Sequence, residues 1–145
     1  MINFTGDKKY VAGHIKAIKK VLNTIALDHK CHIRELIYVF MDDEGLLKIN
    51  QQALQHDFYT DIITFDYSEN KELEGEIYIS IERVKDNARS FNETFHVELL
   101  RVICHGVLHM VGYKDKNKTE QALMREKENY YINLYKQETF HVEQQ

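Results

Sequence analysis

A chain of 145 residues has the length of one domain, and its composition, 43% hydrophobic and 29% charged, is ordinary for a globular protein. These values exclude disordered, collagen-like and coiled-coil chains. The apolar runs fall far short of the roughly 18 residues of a membrane span, and the N-terminus lacks the apolar segment of a secretory signal. We therefore expect a single cytoplasmic domain over residues 1–145, with no membrane partner.

The formal net charge of −4 counts against a surface coated with phosphate-binding lysine and arginine, but it leaves room for one basic groove. Cys31 and Cys104 are too few and too far apart to form a disulfide framework. We expect both as buried thiols.

The first half of the chain predicts a strand, a helix, a strand and a helix. Residues 2–5 fit a short strand, and apolar residues at helical spacing predict a helix over 8–28. A β-branched and aromatic run over 33–41 predicts a strand buried on both faces. Asp42 or Asp43 caps a following helix. The apolar positions of the two helices are Val11, Ile15, Ile18, Leu22 and Ile25, then Leu46, Leu47, Ile49 and Leu54.

The second half predicts a hairpin of residues 62–65 and 76–80, followed by three helices. The helix over 82–92 places Val84, Ala88 and Phe91 at core spacing, and the helix over 96–111 is the most apolar and therefore central. Gly112 ends it as a left-handed C′ residue, and Asn117 with Glu120 begins a last helix that reaches about residue 138. Together these elements predict an α+β fold with helices around a small mixed sheet of about four strands.

Two histidines four residues apart, His105 and His109, share one face of the central helix. Neutral imidazoles at that spacing bind one transition metal, and the turn at Gly112 brings Asp115 back towards them. Three protein ligands leave one coordination position open for a water whose pKa the metal lowers, which is the arrangement of a catalytic zinc site. The three residues would act in catalysis through that water.

The alternative is a pair of hydrogen-bonded or surface histidines. Two observations count against this alternative. Burying unpaired imidazoles in so apolar a helix would cost free energy, and Asp115 completes a set of three metal ligands. The zinc protease pattern H-E-x-x-H is absent, because Gly106 follows His105. A glycine here lets substrate or a second structural element approach closely.

Three ordered motifs resemble the YbeY family of bacterial metal-dependent endoribonucleases. Residues 105–115 read H-G-V-L-H-M-V-G-Y-K-D, beside the family's H-G-x-L-H-L-x-G-Y-D-H. Residues 57–65 and 75–80 are similar to its D-x-P-T-D-V-L-S-F and G-D-I-x-I-S segments. The resemblance implies an α+β fold, a catalytic zinc, hydrolysis of single-stranded RNA, and roles in ribosomal RNA maturation and ribosome quality control, with ribosomal subunit proteins as further partners.

The sequence departs from the family at three positions. The third ligand, usually histidine, is Asp115, so iron, manganese or nickel remain alternatives to zinc. The family's arginine falls at Leu54 and its proline at Tyr59. Candidates to replace the arginine are His56, Arg83 and Arg89.

Other residues around the motifs have proposed secondary roles. Glu98 is a candidate partner for an imidazole or a cap, Asp61 and Glu76 are candidates to orient groups, and no general base is evident. Tyr59, Tyr67 and Tyr113 are candidates for base stacking or core packing. The remaining histidines, His14, His29, His32, His96 and His141, fit surface or capping roles. A basic rim is expected from Lys114, Lys116, Lys118, Arg125, Arg83, Lys85 and Arg89, unless these are ordinary solvated surfaces.

Three functions follow from these patterns. The first is a metal-dependent hydrolase of RNA, by attack of the metal's water or of the ribose 2′-hydroxyl. The second is a ribosome-associated binding module in which the metal only stabilises the fold. The third is a metal-dependent hydrolase of a small molecule or peptide.

Overall fold

The computed structural model describes the backbone of residues 1–144 and the side chains of residues 1–139. The elements follow the predicted order, and a short 3₁₀ turn at Lys8–Tyr10 is added. The strands are β1 (Ile2–Gly6), β2 (His32–Met41), β3 (Ile62–Asp66) and β4 (Glu72–Ser80). The helices are α1 (Ile15–Asp28), α2 (Asp43–Leu54), α3 (Ile81–Ser90), α4 (Phe95–Met110) and α5 (Lys118–Gln144).

The four strands form one mixed sheet in the order β1-β2-β4-β3. β1 and β4 run parallel to β2, whereas β3 pairs antiparallel with β4 and forms an edge of the sheet. The predicted α+β fold is therefore confirmed. Among the described helices, none is long and apolar enough to cross a membrane.

The core lies between one face of the sheet and α1 and α4. Leu36, Tyr38 and Phe40 of β2 are buried on that face, whereas Ile37 and Val39 on the other face are only half-buried. The prediction of a strand buried on both faces is wrong, because α2 covers only part of the second face. Cys31 and Cys104 are buried and free, as predicted.

Two predicted helix ends differ from the structure by more than two residues. α1 begins at Ile15 rather than residue 8, because Gly13 has a φ of +81° and breaks the helical path between the 3₁₀ turn and α1. α5 continues to Gln144, past the predicted end near 138. Asp42, one of the two predicted caps, is the N-cap of α2: its side chain accepts from the Gly45 amide at 2.7 Å.

Helix α4 is fixed to the sheet beside the histidine pair. The buried Tyr38 hydroxyl of β2 donates to the Ile103 carbonyl at 2.9 Å. A Cβ atom at Gly106 would lie 3.1 Å from Ile77 Cδ1 and 3.3 Å from Ile62 Cδ1, tighter than ordinary contact. The glycine therefore lets strands β3 and β4 approach α4 closely. Of the two roles expected of Gly106, the structure shows the close approach of a second structural element.

Candidate metal centre

The two histidines lie on a polar stripe of an otherwise apolar helix. Arg101, His105 and His109 recur every four residues along α4, and all three are half-buried, whereas most of the helix is buried. The stripe faces the space between α5 and the edge strand β3. Sequence spacing predicts the shared face, and the tertiary packing makes that face a cleft.

The turn after α4 brings Asp115 to the histidines. Gly112 has a φ of +116°, its amide donates to the His109 carbonyl at 3.0 Å, and the Tyr113 amide donates to the Leu108 carbonyl at 3.0 Å. This is a Schellman pattern of helix termination, and it confirms Gly112 as the predicted C′ residue with a positive φ. The reversed chain then places Asp115 Oδ2 at 3.3 Å from Nε2 of both His105 and His109.

Both imidazole rings are held by acceptors at Nδ1. His105 Nδ1 lies 2.7 Å from Glu128 Oε2, and His109 Nδ1 lies 2.8 Å from the Tyr113 carbonyl oxygen. A carboxylate and a carbonyl accept but do not donate, so each Nδ1 carries a proton. When the ring is neutral, its lone pair is therefore at Nε2, on the side that faces Asp115.

The three converging atoms form a set that could hold one cation. The two Nε2 atoms lie 2.9 Å apart, and ligand atoms of His105, His109 and Asp115 all lie within 4.8 Å of one another. Two lone pairs and a carboxylate at these distances repel one another unless a proton or metal ion lies between them. Zinc–nitrogen bonds of about 2.0–2.1 Å in tetrahedral geometry separate ligand atoms by roughly 3.3 Å, so the set fits a divalent transition metal.

Glu128 is the site residue that the sequence interpretation missed. The residue is 5% exposed, and besides His105 its carboxylate faces Arg101 Nη1 at 3.3 Å and Arg125 Nη1 at 3.8 Å. Burial lowers the pKa of His105, but the hydrogen bond and charge of Glu128, with Asp115 and Asp61, outweigh burial and leave that pKa raised. A buried carboxylate thus favours positive charge on the His105 ring.

Glu98 does not contact an imidazole, contrary to one predicted role. It is buried and lies 3.5 Å from Arg101 Nε. Seven residues of helix span about 10.5 Å, which is too far for its side chain to reach His105. Glu76 also lies away from the site: it accepts from the Tyr78 hydroxyl at 2.5 Å, on the sheet face opposite Ile77.

Two cavities flank the three candidate ligands. The first, which we call the strand cavity, has a volume of about 410 Å³ and is bordered by Thr60, Asp61, Ile62, Thr64, Asp66, Met110 and the ligands. The second, which we call the helix cavity, has a volume of about 300 Å³ between α3, α4 and α5. His105, Asp115, Asp61 and Ile62 border both cavities.

Apart from the candidate ligand Asp115, Asp61 is the acidic residue that borders both cavities. Its Oδ2 accepts from the Asn87 side-chain amide at 3.1 Å, and its peptide carbonyl accepts from the Ser80 amide at 3.0 Å. Burial raises the pKa of Asp61, and the nearby His105 only partly offsets this rise. The predicted orienting residue is therefore fixed in position and more readily protonated than an ordinary aspartate.

The predicted basic rim does not surround the candidate ligands. Arg83 contacts Asp43 at 2.8 Å and Arg89 contacts Asp86 at 2.7 Å. Of the seven predicted rim residues, only Arg125 borders either cavity among the described side chains. Neither Arg83, Arg89 nor His56 replaces the family arginine at these walls. Arg101 and Arg125 supply the positive charge there.

The tyrosines and remaining histidines divide between surface and structural roles. Tyr59 and Tyr67 are exposed, so a core role is wrong for both, whereas Tyr113 is half-buried and its hydroxyl bonds His29 Nε2 at 2.8 Å. His96 is half-buried rather than superficial, and His14 lies beside it. His32 is exposed. His141 lies outside the described side chains.

Comparison with known proteins gives one consistent family. The family model for endoribonuclease YbeY matches residues 2–136. Proteins named endoribonuclease YbeY are 44% identical in Flavobacterium johnsoniae, over 99% of this chain and 100% of the relative, and 50% identical in Cytophaga hutchinsonii, over 92% and 94%. A solution structure of a Thermotoga maritima protein superimposes with a TM-score of 0.69 at 32% identity, covering 97% of this chain and 93% of that one. The chain belongs to the endoribonuclease YbeY family.

Proposed function

We propose that this protein is a metal-dependent endoribonuclease that cleaves single-stranded RNA, with His105, His109 and Asp115 as ligands of one zinc ion. We place its activity in the cytoplasm, in ribosomal RNA maturation and ribosome quality control, where ribosomal subunit proteins are further partners. The observation that carries the proposal is the convergence of two Nε2 atoms and one carboxylate oxygen beside two cavities, in a member of an endoribonuclease family.

A bound divalent ion would supply Lewis-acid stabilisation of phosphate oxygens and lower the pKa of a bound water. The chain's own residues prepare the site for that ion. Glu128 and the Tyr113 carbonyl hold the Nδ1 protons, so that both Nε2 lone pairs point inward.

Asp61 is the carboxyl group that we assign to proton transfer. It borders both cavities, and the Asn87 amide fixes its orientation. Its raised pKa brings a carboxyl group closer to the neutral range in which general acid–base catalysis is efficient. We expect one oxygen to accept a proton from the attacking nucleophile while Oδ2 keeps its bond to Asn87.

The site geometry favours a flexible substrate. Both cavities open beside the edge strand and the α4–α5 turn, and the ligands are half-buried, with side-chain exposures of 21%, 33% and 41% for His105, His109 and Asp115. A phosphate at this depth is reached by a single strand that bends into the cleft more easily than by a stiff duplex.

The test is cleavage of a labelled single-stranded RNA by wild type, His109→Ala and His32→Ala, prepared in parallel. His32 is exposed at the start of β2, so its variant controls for loss of a histidine elsewhere. Each protein is assayed with chelator and with zinc or manganese restored. We expect metal-restored cleavage by wild type and His32→Ala but not by His109→Ala.

If none of the proteins cleaves, or His109→Ala cleaves like wild type, the nuclease proposal fails. A binding module with a structural metal would instead show His109→Ala with a lower melting temperature and unchanged RNA binding. A hydrolase of small molecules or peptides would show activity on those substrates that single-stranded RNA does not inhibit.

A further inference from the structure

The ring of Phe91 stands at the edge of the helix cavity rather than in the core. The sequence places Phe91 on the buried face of its helix, but α3 ends at Ser90 and the side chain is turned outward, 59% exposed. The Arg125 guanidinium carbon lies 5.6 Å from the ring centroid. Phe91 and Arg125 therefore form a cation–aromatic pair at the cavity wall.

The helix cavity adjoins the candidate metal centre. Its wall contains His105 and Asp115, which also border the strand cavity, so a ligand group held on Phe91 would neighbour any group held at the three ligands. Its volume of about 300 Å³ is at the small end of the roughly 300–1,000 Å³ of ligand pockets. This volume suits one small ring system rather than a long segment.

The charges of the helix cavity favour an uncharged ring over a phosphate group. Arg101 and Arg125 are the guanidinium groups at its wall, and Arg101 is already paired with Glu98 and Glu128. Asp61 and Asp115 add further negative charge at the same wall. A phosphate gains little here, whereas a neutral base meets the aromatic face of Phe91 and the polar side chain of Asn87.

We infer that the helix cavity is a nucleobase subsite, in which the base next to the scissile phosphate stacks on Phe91 beside Arg125. The inference rests on the proposed RNA substrate. The side chain of Asn87 faces the edge of the base, and stacking on Phe91 requires that the base be unpaired. The subsite is therefore a source of preference for single strands, and Phe91 is its specificity-determining residue.

Fluorescence tests base stacking without relying on cleavage. The chain contains no tryptophan, so Phe91→Trp introduces a single reporter at the subsite. Tyr130→Trp is the matched control, because Tyr130 is 53% exposed on α5 and borders neither cavity. Both variants are titrated in chelator with a short single-stranded oligoribonucleotide, and with the same backbone lacking bases.

We expect saturable quenching of Phe91→Trp by the oligoribonucleotide, at least several-fold weaker quenching by the abasic backbone, and none for Tyr130→Trp. Equal quenching of both variants, equal quenching by the abasic backbone, or no quenching at all would overturn the subsite.

Kinetics with metal restored provide the second readout. Base stacking is worth a factor of roughly 5–150 in affinity, so Phe91→Ala should raise KM by a factor in that range, with a smaller change in kcat, and Phe91→Tyr should restore it. Wild-type KM in Phe91→Ala would reject the inference and leave the nuclease proposal intact. Quenching of Phe91→Trp in a protein whose wild type does not cleave RNA would retain the subsite and reject the nuclease.

Discussion

The molecule contains two close histidine pairs that differ in their surroundings. The rings of His105 and His109 lie 4.4 Å apart between centroids, and those of His14 and His96 lie 4.2 Å apart. In the first pair, separate acceptors hold each Nδ1. In the second pair, both rings share one hydroxyl, that of Tyr135, at 3.1 Å from His14 Nδ1 and 2.9 Å from His96 Nε2.

The electrostatics of the two pairs differ in the same way. The pKa of His105 is raised, because Glu128 and neighbouring carboxylates outweigh the lowering by burial. The pKa of His96 is lowered, first by burial and then by His14. Ring spacing alone therefore does not make a metal centre. What distinguishes the first pair is the buried Glu128 carboxylate at Nδ1 of His105 and the Asp115 carboxylate at Nε2 of both rings.

Removing a ring from the first pair should have the largest effect. We expect His109→Ala to lose metal affinity by at least about 100-fold, because a lost ligand costs more than the 10–100-fold of a lost supporting partner. His96→Ala, from the second pair, should bind metal like wild type. Competition with a metal indicator measures both, and equal affinities would mean that the two pairs do not differ in this function.

Asp115→Ala removes the carboxylate in front of the pair. We expect metal affinity to fall tens-fold or more if Asp115 is a ligand. Asp66→Ala is the matched control, since Asp66 borders the strand cavity but lies outside the ligand cluster. A wild-type affinity in Asp115→Ala would make the residue an ordinary loop carboxylate.

Glu128→Gln tests the carboxylate behind the pair. Glutamine keeps an oxygen that accepts from His105 Nδ1 but removes the charge, so we expect about tenfold weaker metal binding. Glu126→Gln on the same helix is the control. Unchanged metal affinity in Glu128→Gln would show that the buried charge does not tune the site.

Tyr135→Phe breaks the second pair. Loss of the shared hydroxyl should cost about 1 kcal/mol of unfolding free energy, because two ring nitrogens lose a hydrogen bond in a partly buried place. Metal affinity should not change. Denaturant unfolding measures the first quantity, and a fall in metal affinity would mean that the two pairs are coupled.

The smallest effect is a pH dependence from the second pair. As pH falls, His96 takes up a proton near pH 6.5 in the unfolded chain and at a lower pH in the folded chain. The neutral His96 ring therefore adds to the free energy of unfolding above about pH 6.5, and this addition is lost as pH falls through the lower folded-state pKa. His96→Gln should flatten that part of the stability curve. An unchanged slope would refute the lowered pKa.

Local sequence signals account for most of the fold and for the three candidate ligands. Helical spacing on α4 and the glycine at residue 112 are local rules, and both hold. The start of α1 and the partly open second face of β2 depend on a backbone break and on the coverage by α2. Neither is encoded in the hydrophobic pattern of the element itself.

Contacts between distant elements account for what the sequence interpretation missed. Glu128 lies in the buried stripe of α5, together with Met124, Tyr131, Ile132 and Tyr135, and a carboxylate in such a stripe was the available signal. Its partner on α4 is 23 residues away, and no local rule names it. Phe91 matched the core spacing of α3, but it is the C-cap residue that follows the last residue of that helix, Ser90.

The measurement that tests the central claim most directly is the metal content of purified protein, by elemental analysis after equilibration with zinc. Wild type and the double variant His105→Ala/His109→Ala are compared, with His14→Ala/His96→Ala as the control from the second pair. We predict one ion per chain in wild type and control and none in the first double variant. Metal-free wild type, or equal metal in all three proteins, would contradict a metal centre at His105, His109 and Asp115.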